Sequence, residues 1–354
     1  MDRVVRCALV FICITVCVGC GRDRPLLIDT PVEKISVSLE EEIPRLMDKY
    51  HIPGLSVLVI RNSEVAIARS FGYSDIESRQ KTTSDTIYKA ASLGKPVFAY
   101  LTVELARRGI IDLDKPLIHY DREPVVEGDP RSHQITARMV LSHTAGLPNL
   151  GGEFQTPLFL YDPGEGFEYS GHGYLYLQRV IETMTGRALD ELADDLVFRP
   201  LGMTHSSYRW REEYKENLSS SYNGEKEKMP VKQEALVGYS AWSLYATMED
   251  YARFVIHIMT AWGEPGTVSS RMLMPAATVV DGVQWGLGWG LQDTQPNASF
   301  WHWGSMAGFR HYVVGYPKER VAVIVMSNGS RAFKMVDDVM AQAIGGSYPS
   351  YDWF

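Results

Sequence analysis

Apolar positions along the chain fall into two rhythms. Near the N-terminal end, LSVLVI (Leu55–Ile60) and VAIARSFG (Val65–Gly72) flank the turn RNSE and predict a pair of strands. From Ser92 to about Arg108 the spacing predicts a helix, stopped by Gly109. ITARMVLSH predicts a shorter helix with Thr136 as N-cap. Tyr174–Thr185 and Leu189–Phe198 continue the helical spacing, punctuated by Gly186. Residues 211–234 are charged and predict an irregular loop, after which Thr247 caps a helix in MEDYARFVIHIM. The last third returns to strands. WGLGWGLQ, SFWHWG, FRHYVVGYP and VAVIVMSN are aromatic or β-branched runs between turn residues, and Phe333–Ile344 predicts a closing helix.

Strands at both ends with helices between predict an α/β (α+β) fold. An antiparallel sheet, completed by the C-terminal third and flanked by helices, would carry a mostly helical insertion over about residues 110–240. The cleft between two such lobes is where a site is expected.

Composition narrows the function classes. The 354 residues are 45% hydrophobic and 22% charged, an ordinary globular balance. The formal charge is 35 − 43 = −8 with no long basic run, which argues against a nucleic-acid partner. All four cysteines (Cys7, Cys13, Cys17, Cys20) fall in the first twenty residues, so the remaining chain has none for a disulfide, zinc cluster or thiol nucleophile. Those twenty residues place Arg3 and Arg6 ahead of an apolar run and read as a secretory signal over residues 1–19. Val18-Gly19-Cys20 resembles a bacterial lipobox, with Cys17 where that motif prefers leucine. Lipidation of Cys20, implied by that resemblance, would anchor the protein to a membrane in the bacterial cell envelope, facing the periplasm or the exterior. Ordinary cleavage nearby would leave Cys20 incidental. Residues 20–34, polar with Pro25 and Pro31, read as a tether, and 35–350 as the folded domain.

Three stretches carry candidate chemistry. In YKAASLGKPVFAY (Tyr88–Tyr100), Ser92 and Lys95 share one helix face at i, i+3. If Ser92 opens the helix, its hydroxyl lies at free backbone N–H groups and the positive dipole end, where an oxyanion is stabilised. Lys95 then lies one turn deeper, where burial lowers its pKa and lets it accept a proton. The plain alternative is an N-cap serine and a surface lysine, against which the apolar flanks weigh. In DPGEGFEYSGHGYLYLQRVIE (Asp162–Glu182), Tyr169 precedes a small-residue turn into a helix. Its use as a base needs a drop of about three units from ~10, roughly 4 kcal/mol. One ammonium at ~4 Å and an effective dielectric near ~20 supplies about that much. The expectation is therefore that Lys95 lowers the phenol's pKa; the alternative is a core aromatic. In WHWGSMAGFRHY (Trp301–Tyr312), Gly304 permits a close backbone approach and the Ser305 N–H is a candidate second oxyanion donor beside that of Ser92. His302 reads as part of that strand site or as an edge-strand residue with a structural hydrogen bond.

Together these stretches resemble the serine β-lactamase and penicillin-binding-protein superfamily, in the branch with class C β-lactamases, D-amino-acid peptidases and related esterases. HIPGLSVLVI, ITARMVLSHTAGLPN, FRPLGMTHSSY and SAWSLYATMEDYARFV match it in the same order, from about Pro53 to Asn328. The resemblance implies Ser92 as nucleophile, Lys95 as its partner and Tyr169 as the tyrosine of the Y-x-N motif. His302-Trp303-Gly304 takes the place of the K-T-G or H-x-G strand motif, with Ser305 as the oxyanion donor after it. It implies an acyl-enzyme hydrolase that needs no metal or organic cofactor and acts on a small-molecule or peptide acyl substrate. The oligomeric state is not indicated. Two positions depart from the pattern: Gly171 stands where the motif has asparagine, and His302 where it has lysine. Both lean toward an ester- or amide-cleaving relative. The alternatives are a D-alanyl-D-alanine carboxypeptidase or β-lactamase, or a non-catalytic penicillin-binding-like protein. His143 and Asn149, in LSHTAGLPN, read as shaping a loop.

Overall fold

In a computed structural model of the chain, residues 24–151, 156–230, 234–294 and 297–352 are described. The segment read as a signal sequence, residues 1–19, and Cys20 lie outside them.

The two N-terminal apolar runs form β1 (Gly54–Arg61) and β2 (Glu64–Asp75), joined by a tight turn with Asn62 and Ser63 both at positive φ. That is the backbone of a two-residue hairpin whose twist matches its strands. With β3 (Gln80–Lys81), β6 (Ala277–Val280), β7 (Val283–Trp285), β8 (Gly290–Thr294), β9 (Asn297–Met306), β10 (Phe309–Tyr316) and β11 (Val321–Ser327), they make one antiparallel sheet. Its order is β3-β2-β1-β11-β10-β9-β8-β7-β6. The chain's two ends meet at its centre, where β1 pairs with β11 and Leu58 lies opposite Ile324.

Strand alternation sends side chains to two cores. Leu55, Val57, Val59, Val323 and Val325 pack with α1 (Val32–Tyr50) and with Met335, Val336 and Val339 of α9 (Phe333–Ala343). Leu58, Ile60, Ile324 and Met326 pack on the opposite face against α2 (Gly94–Arg107) and α7 (Met248–Thr260). Because both faces are covered, β1 and β11 read as unbroken apolar runs.

The helical lobe lies between β4 (Tyr88–Ala91) and β5 (Leu244–Ala246), which pair as a small separate sheet. It contains α2, α3 (Ala137–Leu141), α4 (Gly171–Thr185), α5 (Leu189–Ala193) and α6 (Arg199–Leu201), while α8 (Val268–Met272) follows α7. Thr136 and Thr247 cap α3 and α7 as expected, accepting from Met139 N–H and Asp250 N–H.

Three boundaries differ from the sequence expectation. The interval read as a tether is tied to the body from Arg24 onward: Leu27 N–H donates to Ile344 O, and the Arg61 guanidinium donates to Thr30 O and Leu27 O. α1 then begins at Val32. α2 begins at Gly94 rather than at Ser92, and α4 begins at Gly171 rather than at Tyr174, so no small-residue turn separates Tyr169 from its helix. Among the described residues, no helix is long and apolar enough to cross a membrane.

Candidate active site

The end of β4 turns abruptly into α2. Ala91 has φ +52°, a left-handed conformation costly for a residue with a side chain, and Ser92 follows it in the turn. The turn is pinned from below. Tyr251 Oη donates to Leu93 O at 3.1 Å, and Tyr208 Oη to Gly94 O. Ser92 is thus half-buried just before the N-terminal end of α2, one turn from Lys95.

Lys95 is 2% exposed. Its Nζ donates to Ser92 Oγ at 3.1 Å and to Ala241 O at 2.7 Å, and lies 4.7 Å and 5.7 Å from the ring centres of Tyr169 and Tyr174. Among the described residues it has no carboxylate partner. Burial alone lowers its pKa to about 7, so a large share of the amine is unprotonated near neutrality.

Tyr169 is buried with its phenol toward Ser92, and burial raises its pKa well above the ordinary phenol range; the contact with Ser92 offsets only part of this. The expectation that Lys95 makes Tyr169 a base is therefore corrected. A lysine that is itself half neutral supplies little field, and the desolvation of a buried phenolate exceeds it. Burial thus eases loss of the Lys95 proton and keeps the Tyr169 phenol protonated.

The segment around Tyr169 is clasped by the LSHTAGLPN loop. Glu168 N–H donates to His143 O (2.9 Å), Ser170 N–H to His143 Nδ1 (3.0 Å), Ser170 Oγ to Pro148 O (2.9 Å) and Gly171 N–H to Asn149 Oδ1 (3.1 Å). Ser170 also caps α4 by accepting from Gly173 N–H. At Gly171 a Cβ would stand 2.5 Å from Leu150 Cγ and 3.0 Å from Asn149 Oδ1, so the space an asparagine would need is filled. The acceptor for Lys95 comes instead from the carbonyl of Ala241.

On the sheet side, His302 is fully buried in β9, one residue past the end of its pairing with β8. Its Nδ1 donates to Trp303 O at 2.7 Å, leaving Nε2 as the acceptor. Burial first, and then the Lys95 charge, lower its pKa to about 3, so the imidazole is neutral. At Gly304 a Cβ would lie 2.5 Å from Ala90 O, and glycine there lets β9 close onto the strand that delivers Ser92. β8 pairs with β9 only as far as Gly290 opposite Trp301. From His302 to Met306 that edge of β9 has no strand partner among the described residues, and Ser305 there is exposed.

The structure thus brings Ser92, Lys95, Tyr169 and His302 together, with Gly304 against the strand that leads to Ser92, while Gly171 and Ser305 lie two and one residues along the chain from Tyr169 and Gly304. Ala241, Ser170 and Pro148 were not singled out from sequence. Ala241 and Pro148 act through main-chain carbonyls, which leave no residue-type signal, whereas Ser170 before an α4 start at Gly171 was a readable N-cap. A cavity of about 410 Å³ lined by Trp262, Leu273, Leu291 and Phe300 includes none of these residues. Among the described residues, no cluster of three or more His, Cys, Asp or Glu side chains is placed to hold a metal ion.

A family model described as Beta-lactamase matches residues 39–345. Protein flp of Staphylococcus aureus (strain N315) is 21% identical over 335 residues, covering 86% of this chain. This chain spans only 66% of that relative's length. Penicillin-binding protein 4 of Amycolatopsis lactamdurans is 23% identical over 344 residues, covering 86% of this chain and 88% of its own. Two solved structures share the fold. A class C beta lactamase superposes with TM-score 0.76 at 21% identity, covering 88% of this chain and 97% of its own. The octameric penicillin-binding protein homologue from Pyrococcus abyssi superposes with TM-score 0.75 at 22% identity, covering 86% and 76%.

Proposed function

The chain belongs to the beta-lactamase family, and from that premise we propose that it is a serine acyl hydrolase of the cell envelope that cleaves an ester or amide bond through an acyl-enzyme at Ser92. The observation that carries the reading is the buried Lys95 amine 3.1 Å from Ser92 Oγ, where burial lowers its pKa to about 7. The free amine takes the hydroxyl proton as Oγ attacks the carbonyl carbon. The developing oxyanion lies between the N–H groups of Ser92 and Ser305, each such donor being worth ~10²–10³ in rate. Tyr169, kept protonated by burial, gives its proton to the leaving oxygen or nitrogen and is resupplied by the Lys95 ammonium. Water then attacks the acyl carbon, and the proton moves back along the same groups.

Gly171 and a neutral His302 favour substrates without a carboxylate at that end of the cleft, since neither offers a cation. The unpartnered edge of β9 favours a second reading, an extended peptide aligned along residues 302–306, as in a D-alanyl-D-alanine carboxypeptidase. The envelope location rests on the N-terminal signal and on Cys20 as a lipid anchor.

A fluorophosphonate probe tests the reading directly. It should label the protein once, and peptide mapping should place the adduct on Ser92. Short esters should block labelling. Blocking by D-Ala-D-Ala peptides or penicillin instead would select the second reading, and absence of labelling would reject both. Tyr169→Phe should lower the acylation rate for an alkyl ester, whose alkoxide must be protonated to leave, by about 10²–10⁴, the usual span for a general acid, measured as alcohol release in the first turnover. An unchanged rate would make the phenol a packing element only.

A further inference from the structure

The function as read leaves unused a fully buried side chain that packs against Tyr169. We infer that His143 is a positioning residue for the Tyr169 phenol, fixing it by a main-chain and a side-chain hydrogen bond on its two flanks and by the face of its ring. The inference rests on the serine-hydrolase reading above.

His143 is fully buried and has φ +58°, a left-handed conformation costly for a residue with a side chain. That conformation lets one residue reach both sides of the tyrosine. Its carbonyl accepts Glu168 N–H at 2.9 Å while its Nδ1 accepts Ser170 N–H at 3.0 Å. Its ring lies against the phenol with centroids 4.4 Å apart and planes 36° apart. The backbone on either side of Tyr169 and the ring itself are therefore held by the same group. Phe167, Tyr174 and Trp285 close around the imidazole at 5.9, 5.2 and 5.2 Å between centroids, so it has little room to tilt.

Docking of α4 does not need this clasp. Ser170 Oγ on Pro148 O, Gly171 N–H on Asn149 Oδ1 and the Ser170 cap on Gly173 already hold the start of that helix. What His143 adds is confined to the residues either side of the phenol. A plain aromatic would fill the space but accept nothing from Ser170 N–H. The imidazole does so only while neutral with its proton on Nε2, and burial, with Lys95 and His302 nearby, holds its pKa well below the usual range. Displacement of a reacting group by about 1 Å costs on the order of 10² in rate, which sets the expected effect.

Two variants separate positioning from packing. In His143→Asn the amide oxygen stands where Nδ1 stood and still accepts from Ser170. In His143→Gln the amide reaches toward the Nε2 end and leaves Ser170 N–H without its acceptor. With an alkyl ester, whose leaving alkoxide must take a proton, His143→Gln should lose about 10²-fold in kcat with KM within about threefold, and His143→Asn should stay within about tenfold of the parent. Hydrogen exchange of the peptide spanning 168–171 should quicken in His143→Gln only. Equal losses in both variants, parental kcat in His143→Gln, unaltered exchange, or failure of both to fold would each overturn the inference. If the parent shows no turnover that Ser92→Ala abolishes, the hydrolase reading fails, and the exchange measurement still decides whether His143 holds the tyrosine.

Discussion

Replacing Ser92 with alanine should lower kcat for a p-nitrophenyl ester by on the order of 10⁴–10⁶ while leaving the fold intact. Among the described residues, the side-chain hydroxyl bonded to Lys95 is that of Ser92, its other bond being to a main-chain carbonyl, and Tyr169 is buried as a phenol. The stability cost is small for the same structural reasons. Removing Oγ leaves Lys95 bonded to Ala241 O, and the turn is still held by Tyr208 and Tyr251 through the carbonyls of Gly94 and Leu93. No buried charge is stranded, so a change within about 1 kcal/mol is expected. Initial-rate kinetics alongside calorimetry check both halves. Turnover in the folded variant above that of free ester would remove Ser92 from the nucleophile's role.

Much of this arrangement was legible in the residues. Strand alternation was readable because β1, β9, β10 and β11 carry β-branched and aromatic residues between turn signals, and the caps Thr136 and Thr247 identified their helices correctly. α1 was not read as a helix, although Ile35, Leu39, Ile43 and Leu46 keep a helical spacing, because Pro31, Pro44 and dense charge mask it. Its docking is decided by distant partners: Arg69 of β2 pairs with Glu40, and Ser38 Oγ donates to Gln342 Oε1 of α9. Ser92 and Lys95 could be paired from spacing alone, since three residues along one turn determine their contact. Tyr169 could be placed but its ionisation could not, because desolvation depends on rings from His143, Trp285, His302 and Trp303, which only the fold assembles. Gly171 was readable as a departure from a motif. What fills the space beside it, Leu150, and what accepts from Lys95, the carbonyl of Ala241, were not.

Lys95→Met tests the base and the cost of keeping it. The substitution keeps the length of the buried stem and removes the amine, so ester turnover should fall by about 10²–10⁴. In the parent, kcat/KM should decline about tenfold per pH unit below pH about 7, as the amine becomes protonated and can no longer accept the serine proton. Stability should move the other way. In the unfolded chain the lysine stays protonated up to pH ~10.5, but in the folded protein only up to about 7. Between those values the unfolded state binds the extra proton, so this residue's destabilising effect is full below pH 7, falls by about 1.4 kcal/mol per unit as pH rises, and is gone above ~10.5. The gap of 3.5 units corresponds to about 5 kcal/mol at pH 7 or below, part of which the hydrogen bonds to Ser92 and Ala241 offset. The methionine variant should therefore melt several degrees above the parent at pH 6, and the difference should shrink by pH 9. A pH-independent difference, or a less stable variant at pH 6, would mean that the lysine is not held as a desolvated amine. The proton acceptor would then have to be sought elsewhere in the cleft.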